Sequence, residues 1–559
     1  MSSFFPNIFL DRLLGGISKS PYKRGQHAAA SGNDSKAAAF WLTGARAGDA
    51  DCKLALADAL WNGKGVLRDM RSALRWFEEA AEAGKAQAQA RLAGVYATGI
   101  GITPGEQKPA KTDDGDLVVP RDRAKARHWA RLASQQDHVE AQVLLGWLCS
   151  MEGDPDGLDI SQAIEWYSRA SEKGSAPAMV GLAGLISVGS VPGQGPEDAV
   201  QLYRRAAELG NKTAFYYLGA AYMNGTGVEA DPVVAYKWLQ RAADEGVIGA
   251  FRALGMISLN GSGGQPVDVG QAETWLRRAA VKGDVDSMVL LADLHASKQA
   301  QVPNQAEAIF LYVAASDQGN MKATTALGLA HLNGNGVELN HTLAVKLFEK
   351  AADHHAEARF QLALCHLLGR GVPADPALAA EHLLKAAEQK HPDATYNYGT
   401  LLYHGNGVPQ DRKAAFDFYI ASAELGSASG QFRVAHAHTL GKELPLDNDR
   451  AITLFTAAAA QGHLSAQINM ARMLLLHRPD ERAALEKLKE QLREPARSGV
   501  MEAITMLAEL LWRLDRDAEG ALALLRQSAA MGDPLAGYVK DMINTSPSPG
   551  PEVATIAAG

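Results

Sequence analysis

A Gly-x-Gly-Val motif occurs five times in the chain, starting at Gly63, Gly225, Gly334, Gly369 and Gly405. Closely spaced glycines can cradle a phosphate, but phosphate-binding loops also need a following Lys-Ser/Thr or a preceding strand. No Lys-Ser/Thr follows these motifs, and no strand pattern precedes them. The motifs therefore indicate structural turns, in which glycine permits positive φ.

Histidines are unevenly distributed, since thirteen of the 16 lie between His295 and His477. Four of them, His295, His331, His366 and His438, share one position of a repeated pattern, which suggests a ladder of metal ligands. Other copies of the pattern carry tyrosine at this position, and equivalent residues of stacked helices lie about 8–10 Å apart. That separation is too large for a shared metal. We predict packed or hydrogen-bonded histidines, with no metal and no cofactor.

Motifs of known catalytic sites are the third kind of pattern that could indicate chemistry. Ser20 and Lys23 fit the Ser-x-x-Lys pattern of β-lactamases, but the accompanying Ser-Asp-Asn and Lys-Thr-Gly are absent. The sequence also has no His-Glu-x-x-His or Gly-x-Ser-x-Gly motif. We therefore predict no catalytic residues, and a β-lactamase-like hydrolase remains an unfavoured alternative.

Composition excludes several classes of protein. The 559 residues are 47% apolar and 21% charged, which is typical of a folded globular chain. A net charge of −8 gives no basic excess for nucleic acid. Three cysteines are too few for a disulfide framework, and no apolar run reaches the ~18 residues of a transmembrane helix. These features favour a cytoplasmic protein, with a periplasmic or secreted location as the alternative.

A period of about 36 residues runs through most of the chain. An Asp or Asn, replaced once by Gly195, precedes a helical pattern at intervals of 53, 37, 36, 36, 37, 36, 36, 35, 36 and 36 residues. Such a residue is typical of a helix N-cap. Alanine follows four residues later and a bulky residue, often Trp, three further on, which predicts a core face. The Trp column is Trp76, Trp129, Trp166, Trp238 and Trp275.

A second helix follows in each repeat and carries Ala, then Leu four residues later, then a small residue, as in Ala214, Leu218 and Gly219. We call this one the A helix and the Asp-initiated one the B helix. Self-similarity at this period predicts a solenoid. The long first interval predicts an inserted loop near residues 100–120.

The pattern resembles the Sel1-like repeat family, which is related to tetratricopeptide repeats. The resemblance covers residues 49–532 in about thirteen units. It implies an all-α, right-handed α-solenoid of helix-turn-helix repeats. It also implies a non-enzymatic scaffold that binds a protein or peptide in a concave groove, without nucleic acid. The alanine-rich composition is typical of bacterial proteins. A periplasmic or secreted factor that binds envelope glycan or a host protein is the alternative.

One A-helix position, two residues before the Leu column, carries large residues where a solvent-facing position would be polar. We call it the groove column: Tyr216, Arg252, Val289, Thr325, Phe360, Tyr396 and Phe432. In related solenoids this face lines the groove, so partner binding is predicted for Tyr216, Arg252, Phe360, Tyr396 and Phe432. The alternative is packing against the A helix of the next repeat.

The two ends of the chain differ from the repeats. Residues 1–20 form an amphipathic segment whose stripe of Phe5, Phe9, Leu13 and Ile17 predicts a cap on the first repeat or an anchor on a partner or anionic membrane. A cleaved or disordered segment is the third possibility. Residues 21–48 are expected to form an N-terminal capping helix region and residues 533–544 a C-terminal capping helix. Residues 545–559 have a disordered composition.

Overall fold

The computed structural model describes residues 20–100, 119–151, 159–297 and 299–545. In these residues the secondary structure is helical apart from one isolated antiparallel bridge between Ile100 and Val119. Two N–H···O bonds of 2.9 and 3.0 Å form this bridge. The predicted stripe of residues 1–20, the interior of the predicted insertion and the C-terminal tail lie outside the described residues.

The described residues form two compact units. One runs to Leu291 and includes Gln299–Val302, whereas the other begins at Ala292 and continues from Pro303. The helices of the first unit are α1 Pro21–Ala30, α2 Asp34–Arg46, α3 Ala50–Asn62, α4 Met70–Glu82, α5 Ala86–Thr98, α6 Arg123–Gln135, α7 Val139–Cys149, α8 Ile160–Glu172, α9 Ala176–Ser187, α10 Pro196–Glu208, α11 Lys212–Asn224, α12 Pro232–Asp244, α13 Ile248–Asn260, α14 Val269–Val281 and the first half of α15 Val285–Ala296.

The second unit continues the same alternation. Its helices are the end of α15, α16 Gln305–Asp317, α17 Met321–Asn333, α18 His341–Ala351, α19 Ala356–Leu368, α20 Pro376–Glu388, α21 Pro392–His404, α22 Arg412–Glu424, α23 Ala428–Leu440, α24 Asn448–Ala460, α25 Leu464–His477, α26 Arg482–Arg497, α27 Met501–Leu510 with a π-helical extension Leu511–Asp515, α28 Ala518–Ala530 and α29 Pro534–Thr545. From α3 onward, odd-numbered helices are A helices and even-numbered helices are B helices.

The B helices from α4 to α24 begin where the Asp/Asn column predicts. The side chain of Asp231, for example, accepts hydrogen bonds from the N–H groups of Val233 and Val234, both at 3.0 Å. These bonds satisfy donors that the first helical turn leaves without a partner. Where Gly195 fills the column, the carboxylate of Asp198 instead accepts from the Gly195 N–H at 2.9 Å.

In both compact units the core lies between neighbouring A and B helices. The alanine column of the B helices is almost fully buried, as Ala235 and Ala272 show with exposures of 0%. Its tryptophans were expected to pack inward, but all five are only half-buried. The fully packed position is the next residue, for example Leu239 after Trp238. It stands four residues after the alanine, so both lie on one helical stripe, whereas Trp lies at the edge of that stripe.

Glycine turns join the repeats. Gly225 ends α11 in the left-handed conformation at φ 68°, and Gly227 follows with φ 70°. A Cβ on Gly227 would lie 2.2 Å from the carbonyl oxygen of Pro196, at the start of the preceding B helix. The second glycine of the motif is therefore required by close contact between repeats as well as by its φ.

Candidate partner-binding site

None of the seven groove-column residues is fully exposed. Val289, Thr325 and Phe360 are buried, with exposures of 3%, 2% and 9%, and the others are half-buried. Arg252 of α13 pairs with Asp284 at 3.0 Å and with Asp286 at 2.6 Å, both at the start of α15. These contacts are those of the packing alternative, and partner binding by the column stays a prediction.

In the second unit the column contacts histidines at the starts of the next A helices. Phe360 stacks on His391 and Phe432 stacks on His463, each with ring centroids 4.8 Å apart. The hydroxyl of Thr325 makes a 2.8 Å hydrogen bond with Nδ1 of His355. At these three positions the column fixes one A helix against the first turn of the next one.

A polar network surrounds these histidines. Nε2 of His391 lies 2.8 Å from a carboxylate oxygen of Glu357, and the side-chain amide of Gln361 donates to the other oxygen at 2.7 Å. The hydrogen bond from His391 lowers the pKa of Glu357, whereas burial lowers the pKa of His355. The network holds an ionised carboxylate beside imidazoles, and its atoms are engaged in packing the repeats.

The four histidines of the shared A-helix position are buried or half-buried. Nδ1 of His331 lies 3.2 Å from the carbonyl oxygen of Glu338, and Nδ1 of His438 lies 2.8 Å from that of Pro445. These bonds tie α17 and α23 to the turns that follow them. No group of three or more possible metal-binding side chains occurs in the described ranges.

An open cleft of about 670 Å³ lies between the A helices α5 and α7. Ala90 and Gly94, one helical turn apart on α5, lack the side chains that would fill it. Apolar surface comes from Trp61 and Val139, among others. The indole of Trp61 is held edge-to-face by Phe77 at a centroid distance of 6.0 Å. The cleft is therefore partly apolar, and its lining comes from helices together with Gly99 and Ile100, which follow α5.

Polar groups line the mouth of the cleft. Gln87, Arg91, His138 and Glu140 all contribute to its walls. Nε of Arg91 lies 3.8 Å from a carboxylate oxygen of Asp58, and burial raises the pKa of Asp58. The side chain of Arg91 remains 55% exposed, so it can also reach a bound molecule. The cleft combines donors, an acceptor and apolar surface, which suits one large side chain and its flanking peptide groups.

The cleft was not predicted from the sequence. Its signal was present as two small residues, Ala90 and Gly94, on the solvent side of an A helix. The predicted residues Phe5, Phe9, Leu13 and Ile17 lie outside the described part of the chain. Ser20 and Lys23 lie at the start of α1, and no side-chain cap bond from Ser20 is present there.

A family model described as Sel1 repeat matches residues 48–85, 86–108, 113–138, 139–175, 176–211, 214–247, 252–284, 285–320, 322–355, 356–391, 392–427, 428–463 and 502–533. These ranges cover most of the chain, which therefore belongs to the Sel1 repeat family. Residues 464–501 are unmatched, but they contain the regular helices α25 and α26. The fold is an all-α solenoid of tandem helix-turn-helix repeats.

Solved structures are similar to this chain. One is a protective antigen of uropathogenic Escherichia coli with an SLR fold, at 22% identity and a TM-score of 0.52, covering 88% of this chain and 97% of that one. Another is a Sel1 repeat protein from Oxalobacter formigenes, at 30% identity and a TM-score of 0.43, covering 54% of this chain and 88% of that one. The first likeness supports the fold alone. No protein with a curated functional description matches the chain.

None of the helices within the described ranges is long and apolar enough to cross a membrane.

Proposed function

We propose that the protein is a non-enzymatic scaffold that binds a segment of a protein partner in the cleft between α5 and α7. The observation that carries this proposal is the cleft itself, about 670 Å³ in volume, with Trp61 and Val139 beside Arg91 and Glu140. A peptide can place a large apolar side chain against Trp61 while its backbone or a polar neighbour bonds to the rim. Membership of a repeat-solenoid family supports a protein as the partner.

A cytoplasmic location is part of the proposal, and secretion is the competing idea. Intact-mass measurement of the protein from its native cell distinguishes the two, because export by a signal peptide removes an N-terminal segment. The hydrolase alternative depends on Ser20. Hydrolase activity in the wild-type protein that is lost in a Ser20→Ala variant would contradict the non-enzymatic scaffold and favour the hydrolase.

Filling the cleft tests the proposal. A Cβ on Gly94 has no neighbour within 4 Å, so Gly94→Trp can project into the cleft without disturbing the core. The matched control is Gly184→Trp, which changes the equivalent position of α9, where a Cβ is also unobstructed. Each full-length variant is used to capture proteins from the native cell, and the captured chains are quantified by mass spectrometry.

A partner whose recovery falls at least about tenfold with Gly94→Trp, but not with Gly184→Trp, supports the cleft as its binding site. Equal recovery of every captured protein by both variants contradicts the proposal. Circular dichroism melting of both variants checks that the comparison is made between folded proteins.

A further inference from the structure

Four arginines recur at one position of the B helices in the first unit. They stand three residues after the Trp-column position and are separated by 36, 36 and 37 residues. All four are exposed. We call them the arginine row: Arg169, Arg205, Arg241 and Arg278.

Aromatic rings hold three of these guanidinium groups in place. Arg169 lies 5.0 Å from the ring centroid of Trp166, and Arg278 lies 4.8 Å from that of Trp275. Arg241 lies over two rings, 4.3 Å from Phe215 and 5.0 Å from Trp238. Stacking uses the face of a guanidinium and leaves its N–H edges available for a carboxylate. The row is therefore partly ordered before any partner binds.

The chain itself supplies few carboxylates to this row. Arg169 pairs with Glu165, one turn earlier, at 2.6 Å. The other three arginines have no acidic residue at that place and form no ion pair within the described residues. The residues found there are Gln201, Lys237 and Thr274. Three stacked or exposed guanidinium groups thus remain available to an external anion.

The neighbouring charges decide which kind of anion fits. Exposed carboxylates follow three of the arginines by three residues, at Glu172, Glu208 and Asp244. They lie on the same side of each helix as the arginine. A continuous polyanion such as nucleic acid would pass over these carboxylates and be repelled. Separate negative charges, spaced to meet only the arginines, avoid this repulsion.

We infer that the arginine row binds an extended acidic segment of a protein, with a carboxylate at about every third residue. Equivalent residues of stacked helices lie about 8–10 Å apart, and a polyproline II segment has three residues per turn with a rise of about 3.1 Å per residue, so its every third side chain lies on one face. Every third side chain of such a segment therefore meets the next arginine. The inference rests on the proposed function only in taking the partner to be a protein, because none of the four arginines lines the cleft.

A designed peptide tests the row directly. The probe is a fluorescein-labelled dodecamer with four copies of Glu-Ser-Thr, and binding to the full chain is measured by fluorescence anisotropy at low salt. The double variant Arg241→Gln with Arg278→Gln should weaken binding about tenfold, because two charge-assisted contacts are lost. Replacing both arginines by lysine should restore only part of the affinity, since lysine lacks the planar fork.

Matched controls separate recognition from general attraction. Lys36 and Lys212 are exposed cations of α2 and α11 that lie outside the arginine row, so Lys36→Gln with Lys212→Gln removes the same charge. This control should bind the probe within about twofold of wild type, because exposed charges that make no direct contact with the peptide contribute little. A dodecamer with its four glutamates adjacent should bind several-fold more weakly than the spaced one.

Equal losses from the arginine and lysine pairs would overturn the inference, as would no binding of the spaced peptide. Tighter, row-dependent binding of single-stranded DNA or of vesicles containing anionic lipid would show that the class of partner is wrong. The Gly94→Trp variant should bind the peptide as wild type does. The experiments therefore distinguish failure of the cleft proposal from failure of the arginine-row inference.

Discussion

The ring of Phe360 stacks on the imidazole of His391, with centroids 4.8 Å apart and planes 25° apart. Nδ1 of His391 accepts a hydrogen bond from the Ala394 N–H at 3.1 Å, so the same imidazole caps α21. Its Nε2 meets Glu357 of α19 at 2.8 Å. His391 thus connects the two consecutive A helices α19 and α21, and Phe360 packs against the same imidazole.

Phe360→Ala should therefore destabilise the protein. Loss of a buried phenylalanine is expected to lower the free energy of unfolding by about 3–5 kcal/mol, and adding Tyr396→Ala should lower it further. Leu368→Ala, on the same helix but 59% exposed, is the control and should change it by less than about 0.5 kcal/mol. Urea unfolding followed by circular dichroism measures both. If the Phe360→Ala protein is as stable as the control, Phe360 does not stabilise the fold and partner binding by the groove column is favoured.

Mild acid should weaken the histidine contacts between A helices in the second unit. Nδ1 of His463 accepts from the Ala466 N–H at 3.2 Å, which only the neutral imidazole can do, and burial lowers the pKa of His463. As the pH falls below about 6.5, the unfolded chain binds protons before the folded one does. Stability is therefore greatest above this pH and falls until the lower folded pKa is reached.

His463→Asn should reduce that pH dependence, because asparagine keeps an N-cap acceptor without titrating. Urea midpoints at pH 7.5 and 5.5 measure the change. His404→Asn, an exposed histidine that caps no helix, serves as the control. A steeper pH dependence in His463→Asn than in wild type would contradict the role given to this cap.

The free cysteines should react only when repeats open. Cys52, Cys149 and Cys365 are buried. Burial, with a smaller effect of Asp49, raises the pKa of Cys52 to about 12, and burial also raises the pKa of Cys365. Since the thiolate is the nucleophile, iodoacetamide at pH 8 should modify none of them in the native protein. Peptide mapping during urea titration would show which cysteine reacts first, whereas rapid native labelling would contradict their burial.

The second glycine of the Gly-x-Gly-Val turn should tolerate alanine poorly. Gly227→Ala adds both a strained φ and a contact 2.2 Å from the Pro196 oxygen. Gly246, at φ 76° with no neighbour within 4 Å of a Cβ, isolates the first effect. Gly246→Ala should lower the free energy of unfolding by about 1 kcal/mol, and Gly227→Ala by about 2 kcal/mol more. Equal thermal shifts would show that the repeats relax around the new methyl group.

Local patterns were sufficient to predict the solenoid. N-cap side chains, the alanine column and the glycine turns act within one helix or one turn, so their spacing in the sequence reveals them. Gly-x-Gly-Val turns also take the positive φ values that the motif predicts, as Gly225 and Gly227 show. The alternation of A and B helices in most of the chain follows from the same spacing.

Contacts between repeats were decided only by the tertiary structure. The spacing of Trp238 places it near the core, but packing of the A helix gives Leu239 the buried position. Phe360 has the position of a groove residue, yet the first turn of α21 lies against it. The cleft depends on side chains that Ala90 and Gly94 lack, while Trp61 comes from another repeat. A helical pattern gives the direction of a side chain about its own axis, whereas burial depends on the neighbouring helix that meets it.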